Sequence, residues 1–244
     1  AAAALARFKA IYLHYPLMLT AAAARGLKEY VRGGGTLVSE ARPAWNDERG
    51  LAHDRIPGAG LDEVFGVREA LLRSPESTEL ALTEPATIPG MKAGEKIKGY
   101  AFEEHLHPET SGVSVLARFA GGQPAITSAR FGRGRAILIG SFVGLGYEKE
   151  PGLAAGRLLA GLAEQAGVKP PVELSGGGPQ LEARLMEGSG YRLLFLLNHA
   201  NQPQAGRAAV AGAQRGRDLL SGESRSFPLD FRLAPRGALV IEIR

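Results

Sequence analysis

Thr20–Glu40, TAAAARGLKEYVRGGGTLVSE, is the stretch from which the rest of the chain can be ordered. Ala24, Leu27, Tyr30 and Val31 recur at helical spacing and give it one apolar face. Thr20 is placed to cap the helix start by accepting from a free backbone N–H. Gly33, Gly34 and Gly35 end the helix, because glycine takes the left-handed conformation of a C-cap without steric cost. Thr36, Leu37 and Val38 then read as a short buried strand. Ala10 to Tyr15, AIYLHY, reads as another before the helix. Strand, helix, glycine turn and strand make a βαβ unit, with parallel strands over 11–15 and 36–41.

Outward from this unit, Ala41–Gly60 (ARPAWNDERGLAHDRIPGAG) is long and irregular and holds the sole Trp. A loop of this length in a compact domain is usually functional or disordered. Trp45, Leu51 and Ile56 give it apolar anchors and argue for order. Leu61–Phe65 reads as a short helix, with Asp62 and Glu63 suited to its N-terminal dipole. Glu79–Leu82, Ile97–Glu104, Val113–Phe119, Ala125–Phe131 and Arg135–Ser141 read as strands, the last three as a meander of hairpins. Ala136–Gly140 is apolar throughout, the pattern of a strand buried on both faces, and is expected in the same sheet as 36–41. Pro151 opens a helix to Ala166.

Gly167–Pro171 is the expected domain boundary. Beyond it, Leu181–Glu187, Tyr191–Asn198, Arg207–Val210, Ser226–Leu229 and Ala238–Ile243 read as strands of a small antiparallel sandwich. In Tyr191–Asn198, the set Leu193, Phe195 and Leu197 is expected to face the core, because the alternate set ends in polar Asn198. The pattern predicts an α/β layer domain over 1–170 followed by an all-β sandwich over 171–244.

Composition excludes several classes of function. Hydrophobic residues at 45% and charged residues at 22% are ordinary for a globular chain. No apolar run reaches the length of a membrane span. With no Cys there is no disulfide, thiolate ligand or cysteine nucleophile. The net charge of +4 is spread along the chain without the basic stripe of a nucleic-acid binder. The alanine-rich opening Ala1–Phe8 leads straight into the first strand, so the chain is expected to be a fragment of a longer protein.

Few residues invite chemistry. Ser39 follows a buried strand, but Val38 and Glu40 are too bulky for a nucleophile elbow, and no G-x-S-x-G is present. It reads as a strand-end serine bonded to backbone. Glu103, His105 and His107 share one face of a strand and could resemble metal ligands. With no second cluster they read as a strand end, and no metal or cofactor is expected. Trp45, Asn46, Asp47, Glu48 and Arg49 combine an aromatic ring with carboxylates, a set suited to sugars. Adjacent Asp47 and Glu48 point apart, however, and cannot bracket a glycosidic bond alone.

Taken together, IYLHYPLML, LKEYVRGGGTLVSEARPAWNDERG, IPGAGLDEVFGVRE and GRGRAILIGSFVG resemble the middle, trimerisation domain of glycoside hydrolase family 42 β-galactosidases. LLFLLNHANQP, DLLSGE and LAPRGALVIEI resemble that family's C-terminal β-domain. The resemblance implies a flavodoxin-like fold, related to class I glutamine amidotransferases, with its first strand missing. It implies a non-catalytic assembly role in a cytoplasmic parent that hydrolyses terminal β-D-galactosides. The parent's catalytic glutamates would lie on a TIM barrel outside this chain, so no catalytic residue carries over. It also implies a homotrimer, with Trp45, Asn46, Asp47, Glu48 and Arg49 at an active-site rim or subunit contact. The alternative is a free-standing carbohydrate-binding module or small hydrolase using the 41–60 loop.

Overall fold

The computed structural model describes residues 2–83, 88–149 and 154–243. The chain divides into two compact units, Ala1–Val168 and Lys169–Arg244.

The first unit runs α1 (Ala2–Leu5), β1 (Ala10–Leu13), α2 (Ala21–Arg32), β2 (Thr36–Ser39), α3 (Leu61–Phe65), β3 (Val67–Arg73), β4 (Ser77–Leu82), β5 (Lys96–Tyr100), β6 (Glu103–Pro108), β7 (Val113–Phe119), β8 (Pro124–Phe131), β9 (Gly134–Ile139), α4 (Val143–Lys149) and α5 (Ala154–Gln165). The helix start expected at Pro151 lies outside the described residues. Thr20 Oγ1 accepts from Ala23 N–H at 3.1 Å and caps α2. At the other end Gly34 takes the positive φ, 117°. Gly35 must be glycine for a different reason: a Cβ there would collide with the Tyr30 ring.

A seven-stranded sheet in the order β1-β2-β9-β8-β7-β4-β5 forms the frame, and β3 pairs with β6 in a separate ribbon. β1, β2 and β9 are mutually parallel, and the remaining pairs of this sheet are antiparallel. β9 alternates between two cores. Ile137 and Ile139 pack with Val38 and with Leu158 and Leu162 of α5. Ala136 and Leu138 pack with Leu27 and Val31 of α2 and Leu61 and Phe65 of α3.

The expected flavodoxin-like, glutamine-amidotransferase-like α/β fold is corrected by this architecture. The protein is mostly β, 44% strand against 16% helix, with a curled half-barrel sheet. A doubly wound sheet alternates strands with crossover helices on both faces. Here α2 connects β1 to β2, and then β3 to β8 intervene before β9. The face carrying α2 is completed by the short α3, Val67 of β3 and Leu106 of β6 rather than by further long helices. Two strand boundaries account for the misreading. Val67–Arg73, VREALLR, lacks an alternating pattern and was not expected as a strand, yet it pairs with β6. The expected strand Ile97–Glu104 is broken at Ala101, whose φ is 62°, so β5 and β6 go to different sheets.

The second unit contains β10 (Val172–Gly176), β11 (Leu181–Gly188), β12 (Tyr191–Asn198), β13 (Gln204–Val210), β14 (Arg215–Asp218), β15 (Ser224–Ser226), β16 (Leu229–Leu233) and β17 (Ala238–Ile243). They form a three-stranded sheet, β10-β13-β16, and a five-stranded one, β11-β12-β17-β14-β15, with antiparallel pairing throughout. Val210, Phe231, Leu196 and Ile241 bring both sheets into one core.

The register expected for β12 is corrected by one residue. Leu194 and Leu196 are fully buried, Asn198 with them, while Leu193, Phe195 and Leu197 are half-buried. Asn198 tolerates burial because its polar atoms are satisfied. Its Nδ2 donates to the carbonyls of Gln202 (2.9 Å) and Ala234 (2.7 Å), and its Oδ1 accepts from Ala200 N–H (2.9 Å). Among the described residues, no helix is long and apolar enough to cross a membrane. Leu196→Ala should therefore destabilise the second unit by about 2–5 kcal/mol in urea unfolding. Leu193→Ala should cost clearly less, and equal costs would refute the observed register.

Candidate functional site

The 41–60 loop is ordered by main-chain pairing. Asn46 N–H donates to the Leu17 carbonyl (2.8 Å) and Leu19 N–H to that of Asn46 (3.2 Å), so the loop runs beside the segment leaving β1. Arg42 and Ala44 hold φ values of 56° and 53°, a costly region for residues with side chains. The Arg42 guanidinium explains how that strain is held. Its Nε and Nη2 lie 2.8 and 3.1 Å from the two Glu69 carboxylate oxygens, a bidentate pair. It also lies 4.0 Å from the centroid of the Trp45 ring. Trp45, which is half-buried, is thus held by a cation–π contact.

Asp47 is engaged within its own turn. Its Oδ1 accepts from Arg49 N–H and Leu51 N–H, both at 2.9 Å, and its Oδ2 pairs with the Arg49 side chain. These bonds hold its carboxyl below the usual range. Asn46 Nδ2 donates to the Gly50 carbonyl at 2.8 Å. Glu48 is exposed and accepts a 3.4 Å contact from Ala21 N–H. Met18 and Leu51, beside this turn, are more than half exposed.

Glu104 of β6 sits behind the loop, wholly buried. Its Oε2 accepts from Arg42 N–H at 2.9 Å, and its Oε1 is buried without a hydrogen-bond partner. Burial, with Glu69 nearby, raises its pKa to about 8 against the opposing pull of Arg42. Its neighbours on the strand take other roles. His105 Nε2 lies 2.9 Å from Glu103 Oε1, Thr78 Oγ1 donates to Glu103 Oε2 at 2.7 Å, and the His105 ring packs against Phe119. His107 is exposed. Among the described residues, no three His, Asp or Glu side chains gather as a metal site.

A second cluster lies at the C-terminal ends of the parallel strands. Glu40 is fully buried, with Oε1 accepting from Gly144 N–H at 2.6 Å and Oε2 2.7 Å from His14 Nδ1. Burial and the Glu40 charge raise the pKa of Tyr12. The Tyr15 ring packs on His14 at 3.9 Å and edge-on to Phe142 at 4.5 Å. Ser39 is buried at the strand end and donates to the Glu40 carbonyl at 2.9 Å.

Sequence reasoning did not single out Glu40, His14 or Glu69, and it met Glu104 only as a carboxylate of the Glu103–His107 run, not as a buried group behind the loop. The available signal for Glu104 was alternation: Leu106 two residues on marks the buried face, and Glu104 shares it. For Glu40 it was an acidic residue where a buried parallel strand ends, with His14 at the end of its neighbour.

A profile of the β-galactosidase trimerisation domain matches residues 1–169. A sequence search of curated proteins gives no significant match. Among solved structures, the chain is similar to a β-galactosidase from Bacillus circulans sp. alkalophilus, at 23% identity and TM-score 0.79, over 98% of this chain and 33% of that one. It is similar to a catalytic mutant of a family 42 β-galactosidase from G. stearothermophilus, at 18% identity and TM-score 0.78, over 98% and 32% of the two chains. It is also similar to a β-galactosidase from the haloarchaeon Halorubrum lacusprofundi, at 19% identity and TM-score 0.65, over 96% and 31%. The chain thus spans about a third of the length of these structures. At such identities the likeness is one of fold.

Two measurements check this geometry. A Cβ at Gly144 would fall 2.7 Å from the His14 ring and 3.1 Å from the Tyr12 hydroxyl. Gly144→Ala should therefore destabilise the first unit by about 1–3 kcal/mol in denaturant titration, through displacement of His14. For Glu104 the linkage sign follows from its raised pKa. The unfolded carboxyl ionises in the ordinary range near pH 4, while the folded one keeps its proton to about 8. Between those values the folded state binds more protons, so this group's contribution is complete at low pH and is lost as pH rises to about 8. The fall in stability from pH 5 to 8 should be shallower in Glu104→Gln than in the unsubstituted chain.

Proposed function

The chain belongs to the β-galactosidase trimerisation domain family, and from that premise we propose that it is the non-catalytic assembly part of a larger glycoside hydrolase that cleaves terminal β-D-galactosides. The match over residues 1–169 is the observation that carries this reading. The state of the candidate chemical groups supports it. Asp47 is taken up by its own turn and Arg49, and Ser39 is buried against backbone. The chain has no cysteine for amidotransferase chemistry. The parent would act in the cytoplasm and associate with copies of itself, as a trimer, and substrate would meet its barrel.

Within that reading the 41–60 loop lies at a subunit contact or at the rim of the parent's active site, with Trp45, Asn46, Asp47, Glu48 and Arg49 as its contacting residues. Three observations favour a contact role. The loop is pinned by main-chain pairing, so little entropy remains to be lost on docking. Tyr15, Met18 and Leu51 leave apolar surface beside it. Trp and Arg are the residue types most enriched where interface energy concentrates.

Sedimentation of the parent enzyme and of its Trp45→Ala variant, with the kinetics of each, tests this. Truncation should weaken association by about 2 kcal/mol or more. Unchanged assembly with unchanged kinetics would remove the loop from the contact. The 244-residue chain alone should not turn over a nitrophenyl galactoside. Turnover abolished by Asp47→Ala or Glu48→Ala would instead establish a small hydrolase, and saturable quenching of Trp45 by galactose a binding module.

A further inference from the structure

One arginine serves two carboxyl groups behind the 41–60 loop. The Arg42 guanidinium is committed to both oxygens of Glu69, while only its main-chain N–H reaches Glu104. Among the described residues, the Glu104 carboxyl therefore has a single donor and one buried oxygen without a partner. That arrangement suits a neutral carboxylic acid and not a carboxylate, since an unpaired buried charge is strongly destabilising. The same guanidinium lies over the Trp45 ring. Whatever draws Arg42 away from Glu69 also changes the contact that fixes the loop's aromatic anchor.

We propose that Glu104 is a proton-operated latch on the 41–60 loop: carrying its proton it leaves Arg42 to Glu69 and Trp45, and on ionising it draws the guanidinium toward itself and loosens the Trp45 anchor.

The surroundings limit how Glu104 can respond. The charged groups acting on it are Arg42 from the loop and Glu69 from β3. On its own strand, Glu103 and His105 point to the opposite face and bond to each other. Its main-chain N–H is taken by the Gly140 carbonyl beyond β9. Arg42 is thus the cation available to an ionised Glu104, and Glu69 is its competitor. Arg42 and Ala44 are held in left-handed backbone conformations, so weakening the clasp lets strained residues relax and favours release once it begins. The ionisation falls near pH 8, where the carboxyl gives up its proton. The latch concerns the order of the loop and does not depend on the assembly reading, so either can fail while the other stands.

The test uses Trp45, the sole tryptophan of the chain. Its emission maximum and acrylamide quenching are followed in the 244-residue protein from pH 6 to 9, where an ordinary tyrosine is no more than about a tenth ionised. A one-proton transition with a midpoint near pH 8 is expected, the high-pH form being more readily quenched. Amide exchange over 41–60, corrected for intrinsic pH dependence, should speed up across the same midpoint. Glu104→Gln should abolish the transition and hold the protected form at every pH. Glu69→Gln should move the midpoint to lower pH, because it removes the like charge and frees Arg42 for Glu104. No transition in the unsubstituted protein, or its survival in Glu104→Gln, would overturn the latch. If Glu104→Gln does not fold, an unmoved or raised midpoint in Glu69→Gln overturns it instead.

Discussion

Ile137 and Ile139 of β9 enter one core with α5, while Ala136 and Leu138 enter the other with α2 and α3, and all four are fully buried. A strand with no solvated face needs cover on both sides, and full burial of each large apolar side chain supplies about 1.5–3 kcal/mol only where that cover exists. The elements around β9 meet this demand by different means. On one side a twelve-residue helix, α5, lies over the sheet. On the other, α2 covers part of the surface and the remainder falls to α3 with Val67 and Leu106 of the β3–β6 ribbon. The ribbon is what allows a sheet that begins parallel to continue antiparallel without a further long helix.

That ribbon also carries the polar groups that secure the loop. Glu69 belongs to β3 and Glu104 to β6, and both reach Arg42. Fold and candidate site are thus coupled through a single pair of strands. The loop's position rests on buried charge and hydrogen bonding, which are directional, rather than on a large apolar area. Such networks specify one geometry at a cost in stability unless every member is satisfied, and Glu104 Oε1, with Asn46 Oδ1 and His53 Nε2 of the loop itself, is buried without a hydrogen-bond partner.

Much of the fold could be read from local pattern. The capped helix Ala21–Arg32, the glycine stop and the continuous apolar strands all follow from side-chain chemistry within a few residues. The misses share a different cause: long-range context outweighed local preference. VREALLR has no strand-like alternation and becomes β3 because β6 pairs with it. Ala101 carries no turn signal, yet it takes the left-handed conformation that parts β5 from β6. Asn198 looked like the mark of a solvated face and is buried because Gln202, Ala200 and Ala234 satisfy it. In the candidate site, Trp45 was visible as an anchor. Its partners were not, since Glu69 and Glu104 meet Arg42 only after distant segments pair.

The parallel pairing of β2 with β9 sets Thr36 beside Arg135, with all of β3 to β8 lying between them in the chain. Hairpins such as β7–β8 and β8–β9 close short loops and can form early, whereas closing so long a segment costs more entropy and comes late. During synthesis β9 meets β8 as soon as it emerges, while β2 must wait, already made, for a partner that is the last strand of its sheet to leave the ribosome. Between its pairing with β8 and the docking of β2, the apolar Ala136–Ile139 run offers one open, unpaired edge. The four residues of β2 are the native complement to that edge, and their docking is the step at which this unit either completes its sheet or pairs with another chain.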